Sequence, residues 1–220
     1  MLTGCSNSIE KQLASDATIA AIFNKSEIKD LAMVVDFFNS HICSTQKNDV
    51  AKCYLEFFKM MEEHEIAGVY DIKIPAQERQ KLYCQITENT FNQIWRIDHR
   101  WYRSYRDESD TIQSTENQFT GKYLKFLEAF GKDDKVAELY FDGMKKVGDF
   151  GAYIFSGLIR SRYEELNFKD IRTQLFVALH FLTSQDNVDE GQKFKRVPFT
   201  TFNGYAYKTL TRDEKYKKTD

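Results

Sequence analysis

Apolar residues recur at steps of three and four along most of this 220-residue chain, the spacing that gives an α-helix one buried stripe. Between residues 9 and 23, Ile9, Leu13, Ala17, Ala20 and Ala21 fall on one side of a first predicted helix. Ser26 suits the cap of the next, because a short hydroxyl side chain can accept a bond from a free N–H of the first turn. Ile28, Leu31, Val35, Phe38 and Ile42 mark the core face of that helix. A polar stretch, Ser44 to Asn48, leads into a helix that buries Val50, Cys53, Tyr54, Phe57 and Met61. So short a link predicts an antiparallel helical hairpin. Gly68 and the run Val69 to Ile74 interrupt the pattern as a short extended segment. Pro75 then takes a first-turn position, where a missing N–H leaves no bond unmade, and Leu82, Ile86, Thr90, Ile94, Ile97 and Trp101 predict one long helix behind it.

The period is lost from Asp107 to Thr120, a polar stretch that reads as a long loop, either a lid or a seam between helical subdomains. It returns in Tyr123, Phe126, Leu127 and Phe130, a helix expected to stop at Gly131, and again in Val136, Leu139, Tyr140 and Val147. Gly148, Ala152 and Ser156 follow at four-residue spacing, a small-residue stripe that admits a close neighbour. Ile171, Leu175, Ala178, Leu179 and Leu182 mark the last strong helix. Beyond the polar 184–191 segment, Asn203-Gly204 lies between Phe199–Phe202 and Tyr205–Tyr207, the local pattern of a hairpin with a type I′ turn. The expected fold is therefore all-α, a multi-helix bundle with helical hairpins and a small β-hairpin near the C-terminus. Residues 1–8 form a tether, 9–210 a single helical domain with its seam at 107–120, and 211–220 a polar tail.

Composition agrees with long uninterrupted helices. Only 2 Pro and 10 Gly occur, and 18 Phe with 12 Tyr supply ample apolar bulk to offset chain entropy. The 31 basic and 33 acidic side chains nearly cancel, to a formal net charge of -2, so no overall field draws the chain to nucleic acid or to an anionic membrane surface. No apolar run is long enough to span a bilayer.

The most specific local signal is Leu2-Thr3-Gly4-Cys5. It resembles the lipobox of bacterial lipoproteins, in which an apolar residue and two small ones precede a cysteine that is diacylated and becomes the mature N-terminus. The resemblance covers four residues and implies a lipid on Cys5, which would be the chain's attachment to a membrane. It also implies that a signal peptide, with its basic start and apolar stretch, once lay upstream of Met1. Ser6, standing where Asp would retain such a protein at the inner membrane, is similar to the outer-membrane sorting pattern of enteric bacteria. The implied address is the periplasmic side of the cell envelope.

Signatures of catalysis are scarce. His41, His64, His99 and His180 are scattered, and none belongs to HExxH or follows a Glu at helical di-iron spacing. P-loop, dinucleotide, GxSxG and CxxC patterns do not occur. Glu62-Glu63-His64-Glu65 reads as a solvated helix end rather than a metal site, because consecutive helical residues point in different directions. His180, among apolar neighbours, reads as a hydrogen-bonded core histidine. One segment differs from this background. From Trp95 to Arg106, Arg96, Arg100 and Arg103 fall on one predicted helical stripe, interleaved with Trp95, Trp101, Tyr102 and Tyr105. Guanidinium groups beside rigid rings are what binding hot spots use; the alternative is rings in the core with arginines lying over them, paired with Asp98, Asp107 or Glu108.

With Cys5 set aside for lipid, Cys43, Cys53 and Cys84 allow one internal disulfide, and Cys43 with Cys53 across the short helical link is the preferred pair. The expectation is a lipid-anchored envelope protein that binds a protein partner without catalysis, metal or cofactor. In size and address it resembles toxin-neutralising immunity proteins. Two alternatives stay open: an envelope enzyme, acting for example on glycan through scattered carboxylates, and a structural or assembly lipoprotein.

Overall fold

The computed structural model describes residues 3–43, 49–66, 74–103, 109–147, 153–188, 193–197 and 206–210. Among them the chain is mostly helical, as the periodicity predicts. The helices are α1 (Thr3–Ser15), α2 (Ala17–Ile22), α3 (Lys25–Ile42), α4 (Val50–Ile66), α5 (Ala76–Gln85), α6 (Glu88–Ile94), α7 (Lys122–Phe130), α8 (Lys135–Val147), α9 (Tyr153–Ser161) and α10 (Ile171–Val188). Strands β1 (Trp95–Arg103) and β2 (Ser109–Asn117) form one antiparallel pair, and β3 (Lys193–Val197) and β4 (Ala206–Leu210) another.

Side-chain caps set the helix boundaries more finely than periodicity does. The first predicted helix is two, because the Asp16 carboxylate accepts from Ile19 N at 2.9 Å and so opens α2. Asn24, not Ser26, caps α3: its side chain accepts from Glu27 N at 3.0 Å while Glu27 accepts from Asn24 N at 2.7 Å, which satisfies two free donors reciprocally. Pro75 stands at the N-cap, one position before α5. Gly131 does end α7, but with right-handed backbone, φ -62°. Glycine is required there by a close approach, since a Cβ would lie 2.9 Å from Glu138 Cα.

Helix α10 is the axis of the core. Every residue from Thr173 to Ser184 is buried, with α1, α3, α9 and β2 packed around it. Phe181 meets Phe57, Phe58 and Phe38 at ring distances of 5.2, 5.7 and 6.2 Å, so α3, α4 and α10 share one aromatic cluster. The predicted link between α3 and α4 is closed covalently. Cys43 caps α3, Cys53 lies in the first turn of α4, and the two form a disulfide with Cα atoms 5.2 Å apart.

The largest departure from the periodicity lies between residues 75 and 120. The expected helix from Pro75 to Trp101 breaks at Ile86, which is extended. There the Asp30 carboxylate on α3 accepts from Thr87 N at 3.0 Å and from the Thr87 hydroxyl at 2.6 Å, holding a new N-cap in place for α6. Leu82, Ile86, Thr90 and Ile94 are all buried, so the break preserves the core face that the periodicity detected. At Trp95 the backbone turns extended again and enters β1, whose pairing runs from Trp95↔Asn117 to Arg103↔Ser109. Most of the expected 107–120 loop is thus β2. The hairpin expected near the C-terminus also forms from other residues: Val197 pairs with Ala206, a register centred between residues 201 and 202 rather than on Asn203-Gly204. The turn itself, residues 198–205, and the 211–220 tail lie outside the described residues, as do Gly148 and Ala152 of the small-residue stripe.

Candidate functional site

Of the residues singled out for partner binding, Trp95, Arg96, Arg100, Trp101 and Arg103 fall on β1. A strand repeats every two residues, so the three-and-four spacing of Arg96, Arg100 and Arg103 does not make one stripe. Trp95 is fully buried, its ring packed on Tyr83 and Phe91 at 5.2 and 5.5 Å. It belongs to the core and not to an interface. Arg96 is half-buried with its guanidinium 5.3 Å over the Phe119 ring, the arrangement of an arginine lying across an aromatic face. Arg100, Trp101 and Arg103 lie farther along β1, opposite Ile112, Thr111 and Ser109. Tyr105 lies outside the described residues, and so does the 104–108 turn. Cys5 falls in the first turns of α1, so the expected 1–8 tether is helical from Thr3 onward.

The hairpin is rooted in a chain of buried polar groups that crosses the bundle. Trp95 Nε1 donates to Thr183 Oγ1 at 2.8 Å, and the Thr183 hydroxyl lies 2.7 Å from Leu179 O and 3.2 Å from Asn117 Oδ1. Asn117 Nδ2 reaches the Tyr140 hydroxyl at 3.5 Å, Tyr140 meets His180 Nδ1 at 3.0 Å, and His180 Nε2 meets Ser156 Oγ at 3.0 Å. Burial, with Arg160 nearby, pushes His180 down to about 3, so the ring is neutral and carries one donor and one acceptor. The Tyr140 oxygen accepts from Asn117 Nδ2, which leaves its own proton for His180 Nδ1. His180 Nε2–H then donates to Ser156. In that polarity the imidazole cannot take the serine's proton, and His180 acts as the structural histidine its apolar neighbours suggested.

Other buried charges are likewise engaged in joining elements. Burial alone would raise the Glu27 carboxyl, but Lys122 at 2.6 Å, the Asn24 backbone and Asn89 together hold it below the usual carboxylate range. That contact pins α3 to α6 and α7. Arg172 at the start of α10 reaches Asp170, Asp133 and Asp16 at 2.8, 2.7 and 3.5 Å and lies 5.2 Å over the Phe130 ring. Among the described residues no group of three or more His, Cys, Asp or Glu is placed to hold a metal ion, and no helix is long and apolar enough to cross a membrane.

Sequence reasoning missed Thr183, Asn117 and Tyr140 as a connected set. A threonine and a histidine three residues apart in the otherwise apolar run Leu175–Thr183 of α10 were the available signal, because a polar group in such a place requires a buried partner. Compared with known protein families, with curated proteins and with solved structures, the chain matches none.

Proposed function

We propose that this chain is a lipid-anchored protein of the bacterial cell envelope that binds a protein partner through the β1–β2 hairpin. The observation that carries the reading is how the hairpin is built. Its root, Trp95 with Thr115, Glu116 and Asn117, is buried in the bundle, while β1 continues through Arg100, Trp101 and Arg103 toward the far end of the ladder. An anchored root gives the arginines and the second tryptophan a rigid base, and a preorganised contact surface loses less entropy on binding. The Cys43–Cys53 bridge supports an oxidising compartment, where such bonds persist. Cys5 in the lipobox-like segment supplies the attachment to the membrane. The partner class that size and address favour is a toxin which the chain neutralises.

The test is made on the full chain in the bacterium. A photoreactive residue replacing Trp101 should crosslink to one defined partner, and Cys5→Ser should move the protein from the detergent phase to the aqueous phase without changing that crosslink in vitro. A Trp101 probe that yields no adduct would remove the binding reading. An unchanged detergent partition would remove the anchor.

A further inference from the structure

The hairpin's two strands meet at their root on a single side chain of another element. Trp95 is the first residue of β1 and Asn117 the last of β2, and they are partners in the ladder. Trp95 Nε1 donates to Thr183 Oγ1 at 2.8 Å, and the same oxygen lies 3.2 Å from Asn117 Oδ1. The single hydroxyl proton of Thr183 is shared between Asn117 Oδ1 and, at 2.7 Å, Leu179 O, which ties the junction to α10, and its neighbours on that helix are buried. One backbone contact continues the junction, Gln118 N donating to Ile94 O at 2.8 Å. All three side chains are nearly or wholly buried, so water cannot replace a lost partner.

We propose that Thr183 is the positioning residue of the hairpin: its hydroxyl clamps both strands at their root and sets the direction of β1 beyond Trp95. This rests on the partner-binding reading of the hairpin and adds the residue that orients it. Valine at 183 would keep the shape and remove the hydroxyl, leaving the Trp95 N–H and the Asn117 amide without the group they converge on. Serine would restore the hydroxyl. The bulk of α10 would be nearly unchanged in either case, so the effect is expected at the hairpin and not throughout the core.

Amide hydrogen exchange on the full chain tests this without any partner. In Thr183→Val, exchange across β1 and β2 should rise by about tenfold, equivalent to about 1.4 kcal/mol, while α3 and α7 stay at the wild-type rate. Thr183→Ser should return the hairpin to within about threefold of wild type. Trp95→Phe, which removes the indole donor together with part of a buried ring, should raise hairpin exchange at least as much, and combining it with Thr183→Val should add less than the sum of the two, because both break one contact. Unchanged hairpin exchange in Thr183→Val overturns the proposal, and so does a uniform rise over the whole chain, which would make Thr183 a general stabiliser. Should Thr183→Val fail to fold, Trp95→Phe carries the test alone, and a flat hairpin response there overturns it equally. Failure of the clamp would leave the Trp101 crosslink intact, whereas failure of the binding reading would leave the exchange pattern intact.

Discussion

Helix α10 and the β1–β2 hairpin solve the same problem, the placement of polar and aromatic residues together, in opposite ways. Around α10 the polar groups face inward and are matched to one another, Thr183 with Trp95 and Asn117, His180 with Tyr140 and Ser156. The hairpin is matched in this manner at its root, and β1 continues from there through Arg100, Trp101 and Arg103 along the ladder. The two tryptophans make the contrast concrete. Trp95 is a core residue with a satisfied indole, and Trp101, farther along the same strand, belongs to the segment assigned to the partner.

That contrast sets a scale of expected effects. Phe181→Ala, which empties the centre of the aromatic cluster, should destabilise the chain by about 3–5 kcal/mol in urea unfolding. A loss confined to 1 kcal/mol would mean that α10 is not the axis. Acid should act on the same region. His180 is held down to about 3 in the folded chain, below its unfolded value of 6.5, so its contribution is complete above pH 6.5 and is lost as the pH falls toward 3. The unfolding free energy should therefore decline by up to about 1.4 kcal/mol per pH unit across that window. Glu27, lowered from 4.5, adds a loss of the same sign only at lower pH, as it protonates. His180→Asn should flatten the upper part of the profile, and a wild-type profile already flat between pH 6.5 and 4.5 would count against a buried neutral imidazole. Replacing Cys43 and Cys53 together by Ser should cost about 2–3 kcal/mol, the chain entropy released by opening a short loop. The smallest change is expected on the hairpin, where the proposed partner role predicts that Trp101→Ala alters stability by no more than about 0.5 kcal/mol.

How much of this was legible in the sequence follows from what each signal encodes. Periodicity recorded which residues face the core, and it was correct through the Ile86 break, because a helix interrupted by one extended residue can keep its apolar face in register. It could not see the break, which depends on Asp30, far away in the chain, reaching Thr87. In β1 the same letters fit two periods: Ile94, Ile97 and Trp101 fit a helix, and Trp95, Ile97 and Trp101 fit alternation along a strand. The helical reading prevailed because β2, Ser-Asp-Thr-Ile-Gln-Ser-Thr-Glu-Asn, is too polar to announce a partner strand. The Asn24-x-x-Glu27 capping box was present in the letters, but Ser26 drew the boundary instead. The Cys43–Cys53 pair was legible because, with Cys5 set aside, a short link between two predicted helices brings these two together, whereas the Thr183 junction joins residues too distant in sequence for any local pattern to mark it.

The proposed division between the polar junctions at Thr183 and His180, which join elements of the bundle, and a hairpin that meets a partner is tested most directly by Arg100→Glu combined with Arg103→Glu, with melting temperature and partner crosslinking measured on the same preparation. The account predicts that the Trp101 crosslink disappears while the melting temperature stays within about 2 °C of wild type, because it assigns these arginines to the partner and not to the fold. A fall in melting temperature comparable to that of Phe181→Ala would place these arginines in the fold, and a crosslink that survives charge reversal with stability unchanged would contradict the account outright.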